Sequence, residues 1–97
     1  MKYLILSIYD VKAEAYNMPI IIQDKDLEEY KRSFKTELNR PQNKESNYYL
    51  YAEDYVFYLL GKIDSESGSV EKSSTILFTL SSLKEVKTDG NLCESTN

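Results

Sequence analysis

One segment of the chain carries a clear helical period. Leu27, Tyr30, Phe34 and Leu38 fall three and four residues apart, which lines them up as a single apolar stripe on an α-helix. Such a stripe has to be buried against another element, and the flanking segments offer strands. Asp24 or Asp26 stands where a cap is needed, Glu28 and Glu29 lie in or near the first turn, and Lys31, Arg32 and Lys35 follow, an order that suits the helix dipole. Pro41 bounds the end, because the residue before a proline is pushed out of helical geometry.

Before the helix, Lys2 to Tyr9 is rich in β-branched and aromatic residues, with apolar side chains on both alternating sets. That pattern predicts a strand covered on both faces. Val11 to Asn17 reads as a loop or bulged connection. Met18 to Gln23 reads as a short strand, with Pro19 at its beginning or on a sheet edge because proline has no amide hydrogen to donate. After the helix, Asn39 to Asn47 is polar and predicts an exposed loop. Tyr48 to Ile63 returns to strand composition, and Tyr55 to Leu60 has almost no polar position, which places it at the centre of the sheet. Asp64-Ser65-Glu66-Ser67-Gly68 supplies turn residues for a hairpin into Ser69 to Lys72. Thr75 to Leu83 fits a strand or a short helix.

The expected fold is therefore α+β: a mainly antiparallel sheet of four or five strands with one principal helix packed on it. Residues 1–83 form the single domain, and the polar stretch 84–97 reads as a flexible C-terminal tail. A chain of 97 residues with 41% hydrophobic and 29% charged residues has the balance of an ordinary globular domain.

Several function classes lose their chemistry by subtraction. There is no histidine, the commonest general base and metal ligand. The one cysteine, Cys93, allows no intrachain disulfide and points to a reducing, cytoplasmic setting. Three glycines compose no phosphate-binding fingerprint. The Glu53-Asp54 pair reads as solvated or capping carboxylates rather than metal ligands. No enzyme activity, cofactor or metal is expected. The apolar run at Met1 to Asp10 is short and interrupted by Ser7 and Asp10, and reads as a strand rather than a secretion signal. No segment approaches the ~20 apolar residues that span a bilayer, so no membrane partner is expected.

The net charge of −4 argues against a generic nucleic-acid coat, so any DNA contact has to be local. The candidate is a basic run, Lys31, Arg32, Lys35, Arg40 and Lys44, followed directly by Tyr48, Tyr49 and Tyr51. Cations that track a phosphate backbone beside rings that stack on bases are the parts of a single-strand binder. A bland account exists beside it: cations near a helix C-terminus complement its dipole, and tyrosines fill a core that has no tryptophan.

Three stretches together resemble the small non-structural protein of the gokushoviruses, single-stranded DNA phages of the microvirus group. They are Met1-Lys2-Tyr3-Leu4-Ile5-Leu6-Ser7-Ile8-Tyr9-Asp10 with Lys12-Ala13-Glu14 and Pro19; Tyr30-Lys31-Arg32-Ser33-Phe34 leading to Asn39; and Ala52-Glu53-Asp54-Tyr55, Tyr58, Leu60-Gly61-Lys62-Ile63-Asp64 and Gly68. They run in the same order over residues 1–70, with Ala52 where the family carries a proline. The resemblance implies a phage protein made in the host bacterial cytoplasm and absent from the mature particle. It also implies DNA binding or a part in genome replication, at the change from double-stranded to single-stranded synthesis, and it brings no catalytic residues; the basic and tyrosine residues above make single-stranded DNA the expected partner. The alternative expectation is a homodimeric interaction module that engages a viral or host replication protein without DNA affinity.

Overall fold

A computed structural model describes residues 1–85 of the chain. Cys93 and the rest of the expected tail beyond Glu85 lie outside the described residues. The elements are β1 (Lys2–Asp10), β2 (Ala15–Tyr16), β3 (Ile20–Gln23), α1 (Leu27–Leu38), α2 (Asn47–Leu50), β4 (Tyr55–Asp64) and β5 (Val70–Thr79). The five strands form one antiparallel sheet in the order β2-β1-β4-β5, with β3 pairing the same edge of β1 as β2. The main helix packs on one side, so the fold is α+β as the patterning requires.

The segment 15–23 is in effect one strand with an irregularity at Asn17 to Pro19. Tyr9 pairs Tyr16, but Leu6 pairs Ile20, so the register slips by one residue across the gap. Pro19 sits in that gap, where its missing donor does no harm. The Ser7 hydroxyl, buried in the sheet, donates to the Asn17 carbonyl over 2.6 Å. The turn before β2 is held by the Asp10 carboxylate, which accepts from the amides of Lys12 and Ala13, while Glu14 takes a φ of 54°.

Leu4, Leu6 and Ile8 of β1 and Phe57 and Leu59 of β4 are buried on the helix side. The α1 stripe fills the space above them: Leu27 and Tyr30 lie on Leu4, Leu6 and Leu59, and Tyr30 and Phe34 lie on Phe57. Phe57 is the centre of this core, with Phe34 edge-on at 4.9 Å and Phe78 at 4.8 Å between ring centroids. Edge-to-face contacts of this kind add about 0.5–1.5 kcal/mol beyond the area they bury.

The other side of the sheet differs from expectation. β1 was expected to be covered on both faces, yet no element among the described residues packs on its second face. Residues paired across antiparallel strands share a face, so β1 presents Tyr3, Ile5 and Tyr9 there, and β4 presents Val56, Tyr58 and Ile63. These side chains are half-buried rather than sealed. An extra residue at Leu60 shifts the β1–β4 register, which brings Gly61 to this face beside Ile5. A Cβ at Gly61 would lie 2.9 Å from the Glu71 carbonyl oxygen, so β5 approaches β4 too closely there for any side chain.

The expected strand from Tyr48 begins only at Tyr55. Residues 47–50 wind instead into the short helix α2, whose start is capped by Ser46: its hydroxyl accepts from the Tyr49 amide at 3.3 Å. A turn over Ala52–Asp54 follows. This winding drops the Tyr48 ring against Phe34 and Tyr55 and buries Ala52, contacts that an extended chain could not make together. The β4–β5 hairpin turns through Gly68, whose φ is 73°. The Asp64 carboxylate accepts the Glu66 amide at 2.9 Å, and this bond is the main reason its pKa falls below the usual carboxylate value. Thr75 to Leu83 proves to be strand as far as Thr79, then a turn in which the Leu83 amide bonds the Leu80 carbonyl, so that Leu80 and Leu83 both drop into the core.

Candidate nucleic-acid interface

Helix α1 presents Lys31, Arg32 and Lys35 along one side, and the turn after β5 lies opposite. Together with Glu28, Ser82 and Leu83 these residues line an open cleft of about 350 Å³. Lys31 is half-buried, with its ammonium 5.2 Å from the centroid of the Phe78 ring. Arg32 is exposed. Lys35 approaches the Glu85 carboxylate at 3.8 Å, both side chains largely in solvent, an arrangement worth ~0–1 kcal/mol that a stronger anion displaces.

Asn39 fixes the opposite wall. Its side-chain amide donates to the carbonyls of Lys35 (2.8 Å) and Leu83 (2.9 Å), and its oxygen accepts from the Glu85 amide at 2.7 Å. One side chain thus ties the end of α1 to the chain after β5. Lys84, assigned by composition to a loose tail, is placed by this tie with its ammonium 4.4 Å from the centroid of the Tyr49 ring. Lys44 approaches the same ring at 5.6 Å, and the Tyr49 hydroxyl donates to the Glu85 carbonyl over 3.5 Å. The basic surface therefore runs from the Lys31, Arg32 and Lys35 cleft, past Glu85, to Tyr49 with Lys44 and Lys84.

The eight residues singled out from the sequence divide between this surface and other places. Lys31, Arg32, Lys35, Lys44 and Tyr49 belong to it. Arg40 does not extend it as a free cation: its Nε donates to a Glu37 carboxylate oxygen at 2.7 Å, one helical turn back. Tyr48 and Tyr51 do not continue a row of stacking rings with Tyr49, because neighbouring residues of a helical turn point in different directions. Tyr48 packs edge-on to Tyr55 at 4.8 Å, and its hydroxyl accepts from the Asn17 amide. Tyr51 is 53% exposed but borders a depression shared with Asp10, Lys12 and Asp54, a setting too acidic for phosphate. Burial, and after it the charge on Tyr48, raises the pKa of Tyr30 above the ordinary tyrosine value, as expected of a ring working as core.

Lys84, Ser82 and Leu83 were not legible as site residues. Only their nearness to α1 recruits them, and Asn39, the residue that does so, reads in sequence as the ordinary end of a helix.

No helix among the described residues is long and apolar enough to cross a membrane. Neither a curated protein nor a solved structure matches the chain. A family model does: the one described as phage ORF5 protein matches residues 3–83, beyond the 1–70 covered by the resemblance and through the whole sheet to Leu83 on the cleft wall. The chain belongs to the phage ORF5 protein family.

Proposed function

We propose that this phage protein binds single-stranded DNA during genome replication in the host bacterial cytoplasm, as a binding protein of the gokushovirus non-structural kind and not as an enzyme. Lys31, Arg32, Lys35, Lys44 and Lys84 contact phosphates, and Tyr49 offers a ring to a base. One observation carries this reading: five of the cations of an acidic chain gather on one surface around a cleft and a single tyrosine. The two lysines beside Tyr49 suit a strand whose phosphates alternate with bases, because both ammoniums lie within 5.6 Å of the ring centroid and neither forms an ion pair among the described residues. Screening in 0.1 M salt acts over ~10 Å and hides more distant acids, so the charge opposing these cations is that of Glu28 and Glu85 at the cleft.

The test is a fluorescence-anisotropy titration of a labelled single strand with three proteins. The native chain should bind. Tyr49→Ala should lose the ~1–3 kcal/mol of one base stack, or roughly 5- to 150-fold in affinity, and Tyr51→Ala should bind like the native chain. Absence of binding by the native protein refutes the proposal, and equal losses from the two variants refute the assignment to Tyr49.

A further inference from the structure

We infer that a second copy of this chain covers the open face of the sheet, giving a two-fold dimer with the sheets packed face to face and the helices outside. All five strands contribute to that face, and its aliphatic members stand well out in solvent: Ile21 is 58% exposed, Val70 63% and Ile76 57%. Beside them Tyr9, Tyr16 and Tyr58 form a cluster, with centroids 4.7–5.8 Å apart. Following the pairing across the sheet, the one charged residue on the face among the described residues is Lys72, opposite Gly61. A side of this composition is unlike the helix side, where α1 carries Glu28, Glu29, Lys31, Arg32, Lys35 and Glu37.

The area argues for a stable occupant. Strands of about nine residues rising ~3.3 Å each, four strand widths across at ~4.8 Å, give roughly 600 Å² in plan. A monomer rarely leaves an apolar patch larger than a few hundred Å² in water. Two such faces together remove about 1,200 Å², above the roughly 1,000 Å² that a specific interface needs. Sheets pack in this way at ~10 Å with interdigitated side chains, and a two-fold axis needs only one face complementary to itself. An axis along the strands sets Lys72 of one copy over β3 of the other, away from its own image, so no like charges meet.

Nucleic acid fits this face poorly. One lysine cannot track a backbone, and the three tyrosines meet one another at interplanar angles of 53°, 81° and 81°, so they form no parallel platform. A lipid surface fits poorly as well, since a membrane-binding face carries several basic residues.

Sedimentation velocity of the full chain over a concentration series, without DNA, tests the inference. The native protein should reach twice its 11.3 kDa mass, and an Ile21→Glu, Ile76→Glu variant should stay at the single mass with an unchanged far-ultraviolet circular dichroism spectrum. A native chain that remains monomeric throughout overturns the proposal, as does a double variant that still dimerises. Should that variant fail to fold, hydroxyl-radical labelling of the native chain decides: Tyr16 and Tyr58 should lose reactivity as concentration rises while Tyr51 does not, and constant labelling overturns the proposal. Protection of Tyr58 by an oligonucleotide under monomeric conditions would give the face to nucleic acid instead. Because the dimer is read without DNA, either this inference or the DNA reading can fail alone.

Discussion

Reversal of Lys31, Arg32 and Lys35 to Glu removes three of the five cations on the proposed DNA surface, and the consequence can be worked out before it is measured. Each phosphate neutralised on a single strand releases counterions, so the logarithm of affinity falls with the logarithm of salt at about −0.7 per contact. Five contacts give a slope of about −3.5, or roughly a 100-fold loss of affinity between 50 and 200 mM salt. With only Lys44 and Lys84 left, the slope becomes about −1.4 and the same change of salt costs roughly sevenfold. Folding should survive the change. Arg32 and Lys35 are exposed, and Lys31 gives up its place over Phe78, worth ~0.5–2 kcal/mol. Anisotropy titrations at four salt concentrations supply both slopes, with Lys62→Glu, exposed on β4 away from the cleft, as control. A native slope near zero, or a triple variant with the native slope, refutes the argument.

Three further perturbations probe the parts that hold this surface in place. Asn39→Ala cuts two hydrogen bonds between the end of α1 and residues 83–85 and a third to the Lys35 carbonyl within the helix. It should cost ~1–3 kcal/mol in urea unfolding and should weaken DNA binding through loss of the Lys84 position, whereas Asn43→Ala should leave binding unchanged. Gly61→Ala places a methyl 2.9 Å from the Glu71 carbonyl oxygen, so β5 has to shift; an overpacking loss of ~1–3 kcal/mol is expected in the same assay. Tyr30 has a pKa raised by burial from 10.0, so its contribution to stability is complete below about pH 10 and is lost as pH rises through the folded-state value. Tyr30→Phe should therefore flatten the alkaline limb of a stability-versus-pH curve, and an unchanged limb would show that Tyr30 does not titrate in its core position.

The parts of this fold that were legible in the sequence are those where one rule acts alone. Leu27, Tyr30, Phe34 and Leu38 obey a single period; the first three pack against the clusters of Phe57 and Leu59 as that period demands, and Leu38 is buried. Tyr48 to Asp54 was misread because strand propensity and local capping disagree there. Aromatic composition favours extension, but Ser46 captures the Tyr49 amide and the core takes the Tyr48 ring, and a tertiary contact overrides a propensity worth a fraction of a kcal/mol per residue. The candidate site suffered for the same reason. Three tyrosines close together in sequence looked like one platform, but helical winding sends Tyr48 to the core, Tyr49 to the lysines and Tyr51 to the acids around Asp10. Lys84 joined the surface through Asn39, a contact across 44 to 46 residues that no local pattern encodes.

The acidity of the chain bears on how the two faces of the sheet relate. Glu28 lines the cleft and Glu85 stands at its mouth, so the five cations act in a field already reduced by nearby carboxylates. A single copy therefore offers only modest attraction to a polyanion. A dimer built through the open face changes that without adding a cation, because its two helix layers point outward and each carries one cleft. Once one cleft holds a strand, the second meets the same strand at an effective concentration set by the intervening length, and the gain over a single site can reach ~10²–10⁴. On the proposed dimer, the apolar side of the sheet would thereby supply the affinity that net charge withholds, and only on strands long enough to reach both clefts.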